Sequence, residues 1–286
     1  MKKLLLMFIF AISFNYTAIF PQSSIIFTKS GNGQPLIFLP ALGCKGRVWD
    51  NTVNELSKKY TCYEVSIAGF GGVFLDDKFS IEKISKDIIN LIKQEKLQHP
   101  VLIGHSVSGL IALKTASENR GVFSKLIIVD SFPFALASIY PTITEEQAKQ
   151  QGAMLKNMLL KESKEKFENT EKKNLEKLIS NENDIDTVLS WFILSDREAI
   201  AEATSEMLST DLRDSIKNIK CKTLIIGTWK GKEQLGFTKE VAEKIFTEQY
   251  KNINSKRIII SNDSKHFIML DTPEWLNKQI TGFITE

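Results

Sequence analysis

The chain reads as an α/β protein: a mostly parallel, doubly wound sheet with an inserted helical cap. Three observations predict this. Short runs such as Leu36–Leu39, Val101–Ile103 and Leu126–Val129 are apolar at every position, as strands are when both faces of a parallel sheet are covered. These runs alternate with helical patterns, the rhythm of consecutive strand–helix–strand units. From Phe132 to about Lys217 the rhythm stops and only helical periodicity remains. The resulting layout is a leader over residues 1–22, a first part of the core over 23–131, a helical cap over 132–217, and a second part of the core over 218–286.

The leader begins Met1-Lys-Lys, continues in an apolar run from Leu4, and leaves through a more polar, proline-containing stretch ending at Gln22. That is the pattern of a secretory signal peptide. The unbroken run, Leu4–Ser13, is too short to span a bilayer comfortably. Cleavage is expected between Ala18 and Gln22, giving a secreted or periplasmic protein with no stable membrane anchor afterwards. Ile25–Thr28 is then a strand, with Ser30-Gly-Asn-Gly33 as a hairpin signal. Leu36–Leu39 is a buried strand, followed by a glycine-containing loop, Pro40–Gly46, and a helix over Val48–Leu56. Cys62–Ile67 is the next strand, ending in Ala68-Gly-Phe-Gly-Gly72. Ile81–Lys93 places Ile84, Ile88, Leu91 and Ile92 on one helical face. Val101 starts a strand that runs through a turn of small residues into a helix over Leu110–Ser117, and Leu126–Val129 closes in Asp130.

Helical patterns over Glu145–Leu160, Lys161–Leu178 and Ile185–Leu208 make up the cap. The Lys/Glu-rich middle segment reads as a solvated face supported by pairs such as Glu162–Lys166 and Glu168–Lys172. The Met and aromatic residues serve as cap core, with one side available to line an apolar pocket. The sheet resumes at Thr223–Ile226, a helix follows over Lys239–Tyr250, and Arg257–Ile260 is the last strand. Thr272-Pro273 opens the closing helix, with Thr as cap and Pro at the first position.

Composition narrows the function. With 286 residues, 43% hydrophobic and 25% charged, the chain can bury one large core. Losing Lys2 and Lys3 with the leader leaves 35 of 37 basic residues against 34 acidic ones. So even a balance argues for no nucleic-acid partner and no anionic membrane surface. The three cysteines, Cys44, Cys62 and Cys221, are too few for a disulfide scaffold. A Cys44–Cys62 bridge is permitted by the count but not specified by spacing. No Cys/His cluster suggests a metal, and no cofactor is expected. The expected partner is a small-molecule substrate; the oligomeric state is not legible.

The chemistry centres on Gly104-His-Ser-Val-Ser-Gly109. A serine on a sharp strand-to-helix turn is the nucleophile elbow of acyl-transfer enzymes, and it needs small residues two positions either side. Ser106 has Gly104 and Ser108 there, whereas Ser108 would have Leu110, so Ser106 is the nucleophile. The competing structural reading is a serine N-cap. A serine hydroxyl needs a base. Of three histidines, His99 precedes a proline in a surface turn and His105 points away from its neighbour. His266, in the polar loop after the last strand, is therefore the base. A carboxylate must orient it. Asp130, closing a buried strand, is the first choice and Glu233 the alternative; Asp130 as a plain strand-end cap is the structural reading. The oxyanion needs two backbone N–H donors, and Leu42 and Val107 are placed to supply them.

Over nearly all of its mature length the chain resembles α/β-hydrolase fold serine hydrolases of bacterial type, with a Pro-Gly-Leu-like oxyanion loop and a helical lid. The matching segments are Leu39–Cys44 with Trp49-Asp50, Ala68–Gly71, Gly104–Gly109, Val129–Phe134, Asp211–Arg213, Gly227–Trp229 and His266–Met269. Two segments depart from the pattern. Relatives often carry His-Gly where Pro40-Ala41 stands. The acid usually follows the strand at Thr223–Ile226, where Lys230 now stands; some members place it where Asp130 is. The resemblance implies a carboxylesterase-like hydrolase cleaving an ester, thioester or amide of a small to medium, partly apolar substrate through an acyl-enzyme. A carbon–carbon bond hydrolase or lyase with the same triad, and a non-catalytic ligand-binding homologue, are the other readings.

Overall fold

The computed structural model describes residues 16–18 and 23–286. Its centre is an eight-stranded sheet. The strands are β1 (Tyr16–Ala18), β2 (Ile25–Gly31), β3 (Pro35–Leu39), β4 (Thr61–Ile67), β5 (Val101–His105), β6 (Lys125–Val129), β7 (Lys222–Thr228) and β8 (Lys256–Ser261). They lie in the order β1-β2-β4-β3-β5-β6-β7-β8. All pairings from β4 to β8 are parallel, while β1–β2 and β2–β4 are antiparallel. In β5 every residue is buried, as are Leu36–Leu39 of β3 and Leu126–Val129 of β6. A doubly covered sheet requires those uninterrupted apolar runs.

The covering helices are α1 (Asp50–Leu56), α2 (Ile81–Gln94), α3 (Val107–Glu118), α8 (Lys239–Gln249), α9 (Ile268–Asp271) and α10 (Pro273–Thr285). Between β6 and β7 come α4 (Glu145–Lys161), α5 (Lys164–Leu178), α6 (Glu182–Leu194) and α7 (Arg197–Ser209). Each of these four starts at a side-chain cap: Thr144, Ser163, Asn181 and Asp196, which satisfies N–H groups the helix itself leaves free. No strand is present from Ser131 to Cys221.

Several local expectations are corrected. The Ser30–Gly33 turn does not close a hairpin, because β4 lies between β2 and β3. Its glycines serve close approach instead. A Cβ on Gly31 would sit 2.2 Å from the Tyr60 carbonyl oxygen, and one on Gly33 2.4 Å from that of Lys59. The helical pattern over Ile185–Leu208 is broken at Ser195-Asp196, where Asp196 caps α7 and its N–H donates to the Gly69 carbonyl. Glu162 pairs with Lys166, but Lys172 faces Asp186 across to α6. Thr272 precedes Pro273 as expected yet makes no side-chain cap. All three cysteines are free. Cys62 is level with Leu36 at the start of β3, while Cys44 lies beyond the strand's far end. The two are separated by roughly 10 Å of strand rise, more than a disulfide spans.

The signal-peptide expectation falls on residues 1–22, of which all but Tyr16–Ala18 lie outside the described residues. Those three pair only with β2, so cleavage after Ala18 leaves every other pairing of the sheet intact. Among the described residues, no helix is long and apolar enough to cross a membrane.

One buried charge in the sheet has a measurable consequence. Glu64 on β4 is 8% exposed. Burial, reinforced by Asp50 and opposed by Arg47, pushes its carboxyl up from 4.5 to about 7. Between these values the folded chain holds a proton that the unfolded chain has released, so stability falls as pH rises through that window. Urea unfolding is expected to show a loss of about 2–3 kcal/mol from this group between pH 4.5 and pH 8. The slope should be absent in Glu64→Gln.

Candidate active site

The site is assembled at the C-terminal edge of four adjacent strands, β5 to β8. Ser106 follows β5 with φ 56° and ψ −124°, a conformation that L residues adopt only when the surroundings enforce it. Its N–H donates to the Val129 carbonyl at 3.0 Å, and its own carbonyl accepts from Gly109 at 2.8 Å. The turn is tight enough that a Cβ on Gly104 would meet the Ser108 carbonyl oxygen at 2.3 Å. One on Gly109 would meet Ser131 Cβ at 2.4 Å. Ser108 is fully buried, and the half-exposed serine of this turn is Ser106. Its side chain caps nothing, so the N-cap alternative is set aside.

Asp130 follows β6 in a second positive-φ conformation, 39°, which Asp tolerates better than most residues. Its N–H is held by the Ile226 carbonyl of β7 at 2.7 Å. The carboxylate is 1% exposed and is met from three directions. His266 Nδ1 lies 2.6 Å from Oδ2, the Thr228 N–H donates to Oδ1 at 3.2 Å, and the Lys232 ammonium donates to Oδ2 at 3.1 Å and to Oδ1 at 3.4 Å. Burial alone would raise this carboxyl. The charge of Lys232 and the hydrogen bond from His266 outweigh it and hold the group below the usual carboxylate range. Asp130 also ties the ends of β6 and β7 together, through its N–H to Ile226 and its carboxylate to Thr228.

Of the two acids considered, Asp130 is the one the fold brings to His266. Glu233 is exposed on a single turn, Glu233–Leu235, and no hydrogen bond or ion pair joins it to His266. Lys230 points to the ring of Trp229, 4.9 Å from its centroid. His99 is an exposed turn residue with φ 45°.

His105 has a part that its position beside Ser106 conceals. Its ring is fully buried, and Nε2 lies 3.0 Å from the His266 carbonyl oxygen. A carbonyl only accepts, so Nε2 carries the proton and Nδ1 is left as a buried acceptor with no partner among the described residues. Burial and then repulsion from His266 keep this imidazole neutral, well below the ordinary histidine value. The two rings are 4.5 Å apart between centroids, which places His266 against the residue that precedes Ser106.

The cap is bonded to the histidine loop on both sides of His266. The Phe267 N–H donates to the Leu178 carbonyl at 3.1 Å. Lys265 Nζ reaches the carbonyls of Glu176 and Ile179 at the end of α5. Asp271 accepts from the N–H of Lys265 at 2.7 Å and from both the N–H and the hydroxyl of Ser180. A second stitch joins the cap to the loop after β4 and to that after β3: the Ser195 hydroxyl accepts from the Gly71 N–H, donates to the Trp191 carbonyl at 2.8 Å, and lies 3.3 Å from the Gly43 carbonyl in the loop after β3.

That loop contains Leu42. Its floor is braced by Trp49, whose indole N–H donates to the Leu39 carbonyl at 3.0 Å. Cys44 N–H closes the turn onto Ala41, and the Leu42 N–H meets no acceptor among the described residues. Val107 opens α3, so its N–H is one of those a helix leaves unpaired. Phe192 of the cap packs on Gly43, whose Cβ would fall 2.8 Å from the ring. Among the described residues no cluster of His, Cys, Asp or Glu is grouped to hold a metal ion.

Comparison with known proteins agrees with this architecture. The family model described as "Alpha/beta hydrolase family" matches residues 36–279. A pimeloyl-[acyl-carrier protein] methyl ester esterase of Wigglesworthia glossinidia brevipalpis is 29% identical over 257 residues, covering 87% of this chain and 93% of the relative. The protein of that name from Aliivibrio fischeri is 32% identical over 114 residues, 39% of this chain. The chain spans only 42% of the length of this latter relative. Among solved structures, an esterase from Exiguobacterium antarcticum superposes with a TM-score of 0.76 at 20% identity, covering 92% of this chain and 96% of that one. An esterase from Thermogutta terrifontis gives 0.74 at 17% identity, covering 91% and 93%. With a doubly wound sheet, a serine on its elbow and a family match over most of its length, this chain belongs to the alpha/beta hydrolase family.

Proposed function

We propose that this protein is a serine hydrolase that cleaves a carboxylic ester of small to medium, partly apolar substrates through an acyl-enzyme. The observation that carries the reading is the 2.6 Å contact between His266 Nδ1 and the buried Asp130 carboxylate, beside a serine on a strained elbow. In this reading Asp130 fixes the imidazole with its proton on Nδ1, leaving Nε2 as the base. Ser106 Oγ attacks the ester carbonyl as its proton passes to Nε2, and the N–H groups of Leu42 and Val107 receive the oxyanion. Collapse of the tetrahedral species breaks the C–O bond, and the alcohol leaves with the proton from His266. Water then attacks the acyl-serine by the same route, releasing acid and restoring Ser106. Leu42 and Phe192 at the oxyanion loop favour an apolar acyl group near the carbonyl. Two relatives named as methyl ester esterases support an ester with a small alcohol. The basic and apolar leader at residues 1–22 supports export, with catalysis outside the cytoplasm.

Labelling the full chain with a fluorophosphonate should modify Ser106, located by peptide mass, and should be abolished in Ser106→Ala and lowered at least 10³-fold in rate in His266→Ala. An unlabelled wild type would refute the serine-hydrolase reading. A second expectation concerns the cap. Asp271→Ala removes the acceptor shared by Lys265 and Ser180, so kcat for a p-nitrophenyl ester should fall about tenfold with KM within about twofold. A change confined to KM would place Asp271 in substrate binding instead.

A further inference from the structure

The loop after β7 delivers a cation to the buried carboxylate that follows β6. We propose that Lys232 is a positioning residue of the active site, which clamps the Asp130 carboxylate and draws part of its charge away from His266, extending activity to lower pH. This rests on the serine-hydrolase reading above. Lys232 Nζ and His266 Nδ1 share one oxygen, Oδ2, at 3.1 and 2.6 Å. The lysine side chain is 21% exposed and the aspartate 1%, so the pair is shielded from solvent and its charges act on each other with little screening. Asp130 is the one carboxylate that Lys232 meets among the described residues.

The neighbouring groups leave that role to Lys232. On β5, His105 is buried and neutral. Just after α8, the Tyr250 hydroxyl donates to the Ser131 carbonyl, and burial followed by the charge of Asp130 keeps it protonated. Lys265, next to His266, is engaged with the end of α5. Lys230 lies over Trp229, and Glu233 is exposed. Among the described residues, no other charged side chain bonds to Asp130.

The consequence follows from charge. When His266 accepts the proton of Ser106 it becomes a cation close to the Lys232 ammonium, bound to the same oxygen. Asp130 stabilises that imidazolium, and Lys232 opposes it. Removing the Lys232 charge leaves that stabilisation unopposed, so activity of a neutral variant should require a higher pH. Lys232 also fills the donor position that keeps Oδ1 and Oδ2 in register with Thr228 and His266.

The test measures the rate of Ser106 labelling by a fluorophosphonate from pH 4 to pH 9 in the full chain. In Lys232→Met the acid limb of the profile should move up by about one pH unit, the size expected for one partly shielded charge a few ångströms away. Lys232→Arg should restore the wild-type limb. Lys232→Gln keeps a hydrogen-bond donor without the charge. It should move the limb as Met does, and it stays readable where the Met variant fails to fold. A limb unmoved in both neutral variants, with labelling lowered equally at every pH, would overturn the proposal and leave Lys232 as packing. A limb that Arg fails to restore would overturn it too. Absence of labelling in the wild type would strike the serine-hydrolase reading itself, an outcome that Lys232 variants cannot mimic.

Discussion

A carboxylate that is 1% exposed cannot keep its charge unless donors replace the water it has lost. Asp130 obtains them from two segments distant in sequence: the N–H of Thr228 and the ammonium of Lys232, four residues apart at the end of β7, and the imidazole of His266 after β8. Each donor must arrive with the right reach and direction. The ends of β6, β7 and β8 and the loops after β7 and β8 are therefore constrained together. Removing any one donor leaves a buried charge under-paired, the costly case for buried ionic groups. The strained backbone at Asp130 and at Ser106, on adjacent parallel strands, is held by this network and by the sheet beneath it.

The same logic extends outward. His105, with no charge of its own, bonds the His266 carbonyl, and the end of α5 bonds the residues on either side of His266. The cap is thus more than a cover over the sheet edge. It contributes hydrogen bonds to the loop that carries His266, and through Ser195 it also touches the loop that carries Leu42. Substitutions in the cap can change the chemistry without contacting substrate.

The apolar strands and the serine elbow were legible because each is a local pattern: a short uninterrupted run, or small residues at fixed offsets from a serine. His266 was reachable by eliminating the two other histidines, and Asp130 by its place at the end of a buried strand. What escaped was non-local. The Ser30–Gly33 turn carries the residues of a hairpin, but insertion of β4 beside β2 depends on strand pairing about thirty residues away. Lys230 could be seen standing where an acid is usual, yet nothing in its neighbourhood showed that Lys232 reaches back to Asp130 across 102 residues. The sequence sets His105 aside because its side chain points away from its neighbour Ser106. Its bond to the backbone of His266 spans 161 residues, beyond any pattern that a window of sequence contains.

The most direct measurement of the central claim is kcat/KM for a p-nitrophenyl ester in Asp130→Asn and Glu233→Gln, each checked for folding by its thermal transition. With Asp130 orienting His266, Asp130→Asn should lose about 10³–10⁴-fold, while Glu233→Gln stays within about twofold of wild type. Full activity in Asp130→Asn together with a large loss in Glu233→Gln would contradict the account and move the acid to the loop after β7.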